Sequence, residues 1–424
     1  MTSAAVDLAR STRAGATRAG AAGGFLCVGL YTVLDYGRPQ DIIPGLSAIP
    51  LGLVVTALLA ILLLRDSEFV PMDERIVRPF VLLLVFAAIW VPFAHNNYWA
   101  FQTFKQLLIE FLVVLAMLTY IRKPEDMQRF LNLWLWVMAF QACYGITHSG
   151  RGNGSFMGDE NDFALAMNMA LPFALFGCFA ARSMIRKIIL FVIALLCVAG
   201  VVAAASRSGL LGMIAAAGAT MLMSSRRIAF GALGLVLVGV TILLAPSGYW
   251  ADMETMFDPR DSTRVERFRH WDGAERAFWD NPILGVGPGN IPWRIGEYEI
   301  VDDVVERSLA GRAVHSLYYT LLAELGLFGI FIYGWLTVIL LSACRSVMRA
   351  PPDPRARLDL YARATVASGA ACLVSGAFIS VLYYPHLYLL LAIGVTLWRL
   401  SRSGQNAEVG GGARAPLAPL GARP

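Results

Sequence analysis

From Ile188 to Met223 the chain is apolar almost without a break, and Arg207 is the only charged residue in the run. Such a run leaves few folds open, because about 20 apolar residues in a helix span the hydrocarbon core of a bilayer. Comparable stretches recur at roughly 20–36, 46–64, 79–94, 101–121, 128–147, 162–181, 187–205, 209–224, 228–245, 315–343, 364–383 and 386–399. Only 15% of the 424 residues are charged, against about 25% in soluble domains. The expected fold is all-α, a polytopic membrane bundle of about twelve transmembrane helices. The expected layout is a cytoplasmic tail at 1–20, nine helices over 21–245, a long and partly helical loop at 246–314, three helices over 315–400, and a disordered cytoplasmic tail at 401–424.

The first 20 residues contain Arg10, Arg13 and Arg18 but no apolar core with a small-residue cleavage site, so no signal peptide is expected. Six cysteines (Cys27, Cys143, Cys178, Cys197, Cys344, Cys372) fall in apolar stretches without metal-type spacing and read as small core residues. The net charge of +5 reflects loop arginines, not a nucleic-acid surface.

Orientation follows from basic residues in the short loops. Arg65, Arg75 and Arg78 share one loop; Arg122, Lys123 and Arg129 another; Arg182, Arg186 and Lys187 a third; Arg226 and Arg227 a fourth. Alternation puts these on the cytoplasmic side with both termini. The long loop at 246–314, exempt from the charge rule, lies outside. Arg207 then sits at an outer turn between two apolar segments. All five histidines (His95, His148, His270, His315, His386) map to the same side.

The long loop contains the run DSTRVERFRHWDGAERAFWDNPILGVGPGN. Val265, Phe268, Trp271 or Asp272, and Glu275 recur at helical spacing. They predict an amphipathic helix from Ser262 to Trp279, lying along the membrane surface. Asn281-Pro282 ends it. The GVGPGN turn at 285–290 lacks the Lys-Ser/Thr of a nucleotide-binding loop. Asp258, Asp261 and Asp272 lack calcium-loop spacing, and Asp159 to Asp162 read as the cap of the following helix. No metal and no cofactor are expected.

Four segments in register, GSFMGDENDFALAM (154–167), SRSGLLG (206–212), the loop run RVERFRHW to NPILGVGPGN (264–290) and HSLYYTLLAELGLFG (315–329), resemble the O-antigen ligase/polymerase superfamily of bacterial inner-membrane glycosyltransferases. The resemblance covers roughly 150–335, and DYGRPQDI (35–42) is similar to a subset of it. It implies a glycan donor on undecaprenyl pyrophosphate, and an acceptor hydroxyl on lipid A–core, another glycan or a protein, met on the periplasmic face. Its functional residues are an arginine in the SR turn, here Arg207; a loop arginine four residues before a tryptophan, here Arg267, with Arg264 and Arg269 as neighbours; and a histidine opening the next span, here His315.

The chemistry asks for such residues. Guanidinium groups grip phosphate bidentately and stay charged, and a partly dry site strengthens them. An arginine at the centre of a membrane helix costs about 2.5–3.5 kcal/mol, so one there is a functional candidate; the other reading of Arg207 is a snorkelling interfacial anchor. His315, with an ordinary pKa near 6.5, can take a proton from a sugar hydroxyl. Tyr318 and Tyr319, at i+3 and i+4, are expected on its helix face to orient the ring or stack on sugar. Asn161 is expected at the glycan or pyrophosphate. Glu324, nine residues deeper, is expected to pair inside the bundle, with Lys105 or an amide.

The expected reaction is metal-independent, inverting displacement of the lipid pyrophosphate. A polysaccharide polymerase and a protein O-glycan ligase of the same superfamily are the near alternatives. A lipid-linked-sugar transporter is the alternative of another class; it requires charges along a pathway and paired broken helices, whereas here the charges gather on one face.

Overall fold

The computed structural model describes residues 20–66, 74–154, 156–229, 262–299, 308–353 and 356–412, with isolated positions between 231 and 250. No strand occurs among the described residues. Helix α1 covers 20–32 and ends in a π-helical turn, Val33–Gly37. There follow α2 (Leu51–Arg65), α3 (Val77–Trp90), α4 (Asn97–Tyr120), α5 (Pro124–Thr147), α6 (Glu160–Ala180), α7 (Met184–Ala203), α8 (Arg207–Met223), α9 (Ser262–Asp280), α10 (Leu317–Arg349), α11 (Leu358–Gly376) and α12 (Pro385–Gly412). Among the described residues, α4, α5, α6, α7 and α10 are long and apolar enough to cross a membrane. The chain is a multi-pass, all-α membrane protein. The span expected at 228–245 falls largely outside the described residues. The last helix runs past Leu400 to Gly412, into the stretch expected as a disordered tail.

Helix α6 is the centre of the bundle: every residue from Asp162 to Gly177 is buried, and α7, α8 and α11 pack around it. The SRSGLLG segment is built for this contact. A Cβ at Gly209 would stand 2.6 Å from that of Ala164, and one at Gly212 would collide with the Ser375 hydroxyl. Helix α8 can therefore lie against α6 and α11, where Asn168 donates to the Gly209 carbonyl at 2.8 Å and Ser368 to that of Met169 at 2.7 Å.

Helix α10 is broken at Gly326, whose φ of 59° and ψ of −151° lie outside the helical range. A break inside a membrane bundle must have its backbone groups satisfied by protein, and the turn after α9 does this. Val286 and Gly287 donate to the carbonyls of Ala323 and Glu324 at 2.8 and 3.0 Å, while Leu327 and Phe328 donate to those of Pro282 and Ile283 at 2.8 and 3.0 Å. NPILGVGPGN and AELGLFG thus form one structural unit.

Candidate active site

Three helix starts converge at one end of the bundle. Asp159 caps α6 by accepting from the Asn161 amide, Ser206 caps α8 from Gly209, and Ser316 caps α10 from Tyr319. Each helix start is thereby fixed beside a candidate side chain: Asn161, Arg207 and His315. Arg207 is the first residue of α8, so its guanidinium stands at the positive end of a helix dipole.

Helix α9 covers this end. Its packed side carries the buried His270, Gly273, Ala274 and Ala277; the two alanines cluster with Val286, Ile291, Ile295, Leu309, Val314 and Ala323, and Gly273 faces Ile295 and Leu309. Of the stripe expected from periodicity, Val265, Phe268 and Glu275 are exposed, Phe268 at the pocket, while Trp271 packs on Tyr319 of α10. The periodicity predicted the helix and one of its contacts, but not the small residues that let α9 approach α10.

Between α8, α9 and the turn after α11 lies a pocket of about 200 Å³, lined by Arg207, Ser208, Leu211, Arg264, Arg267, Phe268, Trp271 and Phe378. Arginines from two distant parts of the chain thus meet over an apolar floor. Arg264 also lies over the Phe268 ring, 5.6 Å from its centroid. Trp271 stacks on Tyr319 at 5.3 Å, and Phe378 lies 6.2 Å from Trp271. Phe378 and Ser208 carried no signal of their own in the sequence.

Other expected residues are placed differently. Arg269 does not line the pocket; it forms an ion pair with Glu299, because successive side chains on α9 point in different directions. Tyr318 donates its hydroxyl to the Leu373 carbonyl at 3.0 Å. The shared helix face expected for His315, Tyr318 and Tyr319 does not exist, since His315 precedes the helix with φ 54°. The amide oxygen of Asn161 accepts from Ser206 at 2.7 Å and Ser208 at 3.1 Å, and its nitrogen donates to Asp159 at 3.0 Å. Glu324 pairs inside the bundle as expected, with amides and not with Lys105: it accepts from the backbone N–H groups of Gly289 and Ile291 at 2.7 and 3.1 Å and from the Tyr383 hydroxyl at 2.7 Å.

His315 faces His270, the ring centroids 6.0 Å apart and the planes at 84°. Partial burial pushes the His315 pKa below 6.5, and Arg267, a charged His270 and Arg312 push the same way against Asp159. A depressed pKa keeps the imidazole neutral, the form that accepts a proton. Among the described residues, no three His, Cys, Asp or Glu side chains are grouped as for a metal.

The fold and this pocket define a multi-pass helical membrane protein with a clustered-arginine pocket at one end of the bundle. Residues 191–334 match the family described as O-antigen ligase. No curated protein sequence matches the chain. The matched segment holds the SR turn, α9 and the start of α10, the elements that enclose the pocket and His315.

Proposed function

We propose that the protein transfers a glycan from undecaprenyl pyrophosphate to an acceptor hydroxyl of lipid A–core or a similar glycan, at the periplasmic face of a bacterial inner membrane. The observation that carries this reading is the convergence of Arg207, Arg264 and Arg267 on one pocket at a helix N-terminus. Backbone amides at a helix start favour anions, and guanidinium forks match phosphate oxygens. The apolar walls from Leu211, Phe268, Trp271 and Phe378 keep the pocket partly dry, so its charges act at short range in low dielectric.

In the reaction the acceptor oxygen bonds to the anomeric carbon and the carbon–oxygen bond to phosphate breaks. The electron pair leaves with the lipid pyrophosphate, where the arginines stabilise the growing charge. The hydroxyl proton passes to neutral His315. Single displacement inverts the anomeric centre and uses no nucleotide. The test is purified protein in liposomes with an undecaprenyl-pyrophosphate glycan and lipid A–core, without nucleotide. Transfer with inversion is expected. Absence of transfer, or movement of the donor between leaflets instead, defeats the proposal.

A further inference from the structure

Next to the arginine pocket stands a second imidazole that this mechanism does not yet use. His270 is 1% exposed, on the packed side of α9. Its Nδ1 lies 2.7 Å from the Glu266 carbonyl oxygen. A carbonyl only accepts, so Nδ1 carries the proton and Nε2 of the neutral ring presents a lone pair. That Nε2 is buried and makes no hydrogen bond among the described residues. A buried acceptor left open calls for an explanation, and the neighbouring ring is His315. Arg267 sits three residues earlier, on the preceding turn of the same helix, so the element that delivers the arginine also delivers His270. Burial and the Arg269 charge lower the His270 pKa against Glu299, which keeps the ring neutral and the lone pair available.

We propose that His270 positions His315: its Nε2 accepts the ring N–H of His315 and thereby fixes which His315 nitrogen faces the acceptor hydroxyl. The inference rests on the glycan-transfer reading. When His315 takes the hydroxyl proton it becomes an imidazolium beside Arg267 and Arg312, whose charges oppose it; His270 adds to that opposition only when protonated, and its own lowered pKa keeps it neutral. Its second N–H, held on the His270 lone pair, stabilises that cation without adding a fixed negative charge near the donor phosphates. His315 is the exposed ring of the two and has room to turn toward its partner. Such bonds are often long in the unliganded enzyme and tighten with substrate.

Two substitutions separate this role from simple packing. His270→Asn keeps an N–H at the Nδ1 position for the Glu266 carbonyl and removes the Nε2 acceptor. His270→Gln carries an amide oxygen to the Nε2 position and gives up the Nδ1 donor. With a synthetic polyprenyl-pyrophosphate glycan, the Asn variant should lose about tenfold or more in kcat, the worth of a hydrogen bond to a charged group, at unchanged donor KM. The Gln variant should be the more active of the two. An Asn variant at or above the Gln variant in kcat, or a rise in donor KM as the main effect, overturns the proposal. A readout independent of turnover is ¹⁵N spectroscopy of histidine-labelled wild-type protein in nanodiscs. His315 should show one tautomer and His270 an unprotonated Nε2; a tautomer mixture at His315 overturns the proposal even if the variants fail to fold. If the spectrum is as expected but the wild type transfers no glycan, the transferase reading fails and the histidine pairing stands.

Discussion

The amide oxygen of Asn161 accepts the hydroxyls of Ser206 and Ser208, the residues on either side of Arg207. One side chain at the start of α6 thus holds the turn from which the arginine projects. Asn161→Ala removes both bonds, while Ser206 still caps α8 through the Gly209 amide at 3.0 Å. Each lost bond is worth about 0.5–1.5 kcal/mol, so insertion should persist and transfer should fall about tenfold. The loss should appear with glycan donors of any length, as expected for a misplaced phosphate clamp. Kinetics against donor concentration check this; normal transfer by the Ala variant would show that the turn holds Arg207 unaided.

The pocket orders the arginines. Arg207→Lys keeps the charge but not the planar fork and should lose most transfer while the protein still inserts. Arg267→Ala should weaken donor binding comparably. Arg269→Ala should do less harm, and its defect should match that of Glu299→Gln, because the two side chains form one ion pair. Donor affinity and turnover, measured separately for the four variants, test the ranking. Near-normal turnover in Arg207→Lys would reduce that arginine to an interfacial anchor.

Acid should switch the reaction off late. A base whose pKa lies below 6.5 is competent above that pKa and is lost as pH falls through it. The acid limb of kcat should therefore fall below pH 6.5. Arg267→Gln removes a charge that opposes protonation of His315, so the limb should move up toward 6.5 in whatever activity remains. A limb at or above 6.5 in the wild type would point to another base.

Orientation is open to a direct check. The basic short loops predict both ends of the chain in the cytoplasm and the segment around α9 outside. Reporter fusions at Ser401 and within 262–299 should report opposite compartments. Periplasmic activity at Ser401 would invert the scheme and detach the site from a periplasmic acceptor.

Much of this organisation was legible because membrane folds obey coarse rules. Apolar runs located α4 to α8 to within a few residues, and the cap at Asp159 and the stop at Asn281-Pro282 followed from local chemistry. Arg207, Arg264 and Arg267 were named through the family resemblance, and the three line one pocket. What could not be read was direction. Arg267 and Arg269 are two residues apart, and only the packing of α9 decides which faces the pocket. The contact side of α9 is marked by glycine and alanine, which hydrophobic periodicity ignores. His315 looked helical because Leu317 onward is helical, yet its φ of 54° turns it away from Tyr318 and Tyr319. His270 stood in plain view in the loop run, but nothing local shows that its Nε2 is buried and unpartnered.

Glu324 supplies the last prediction. Its carboxylate holds the amides of Gly289 and Ile291 and the hydroxyl of Tyr383, and so fastens the turn after α9 to the break in α10. Glu324→Ala leaves two amides in a buried site without their acceptor, at about 1–3 kcal/mol each. Glu324→Gln keeps one oxygen and should fall between the Ala variant and the wild type. The turn follows α9 directly, so loosening it should release the helix that carries Arg264, Arg267 and His270. Thermal unfolding in detergent should occur at lower temperature for the Ala variant, and limited proteolysis should cut 281–299 sooner. Transfer should fall with the loop's protection, and more steeply than the bundle's stability, because the site needs the loop in register while the other helices do not. If Glu324→Ala unfolds and digests like the wild type, the carboxylate is not what holds the turn, and the backbone bonds across Gly326 suffice alone.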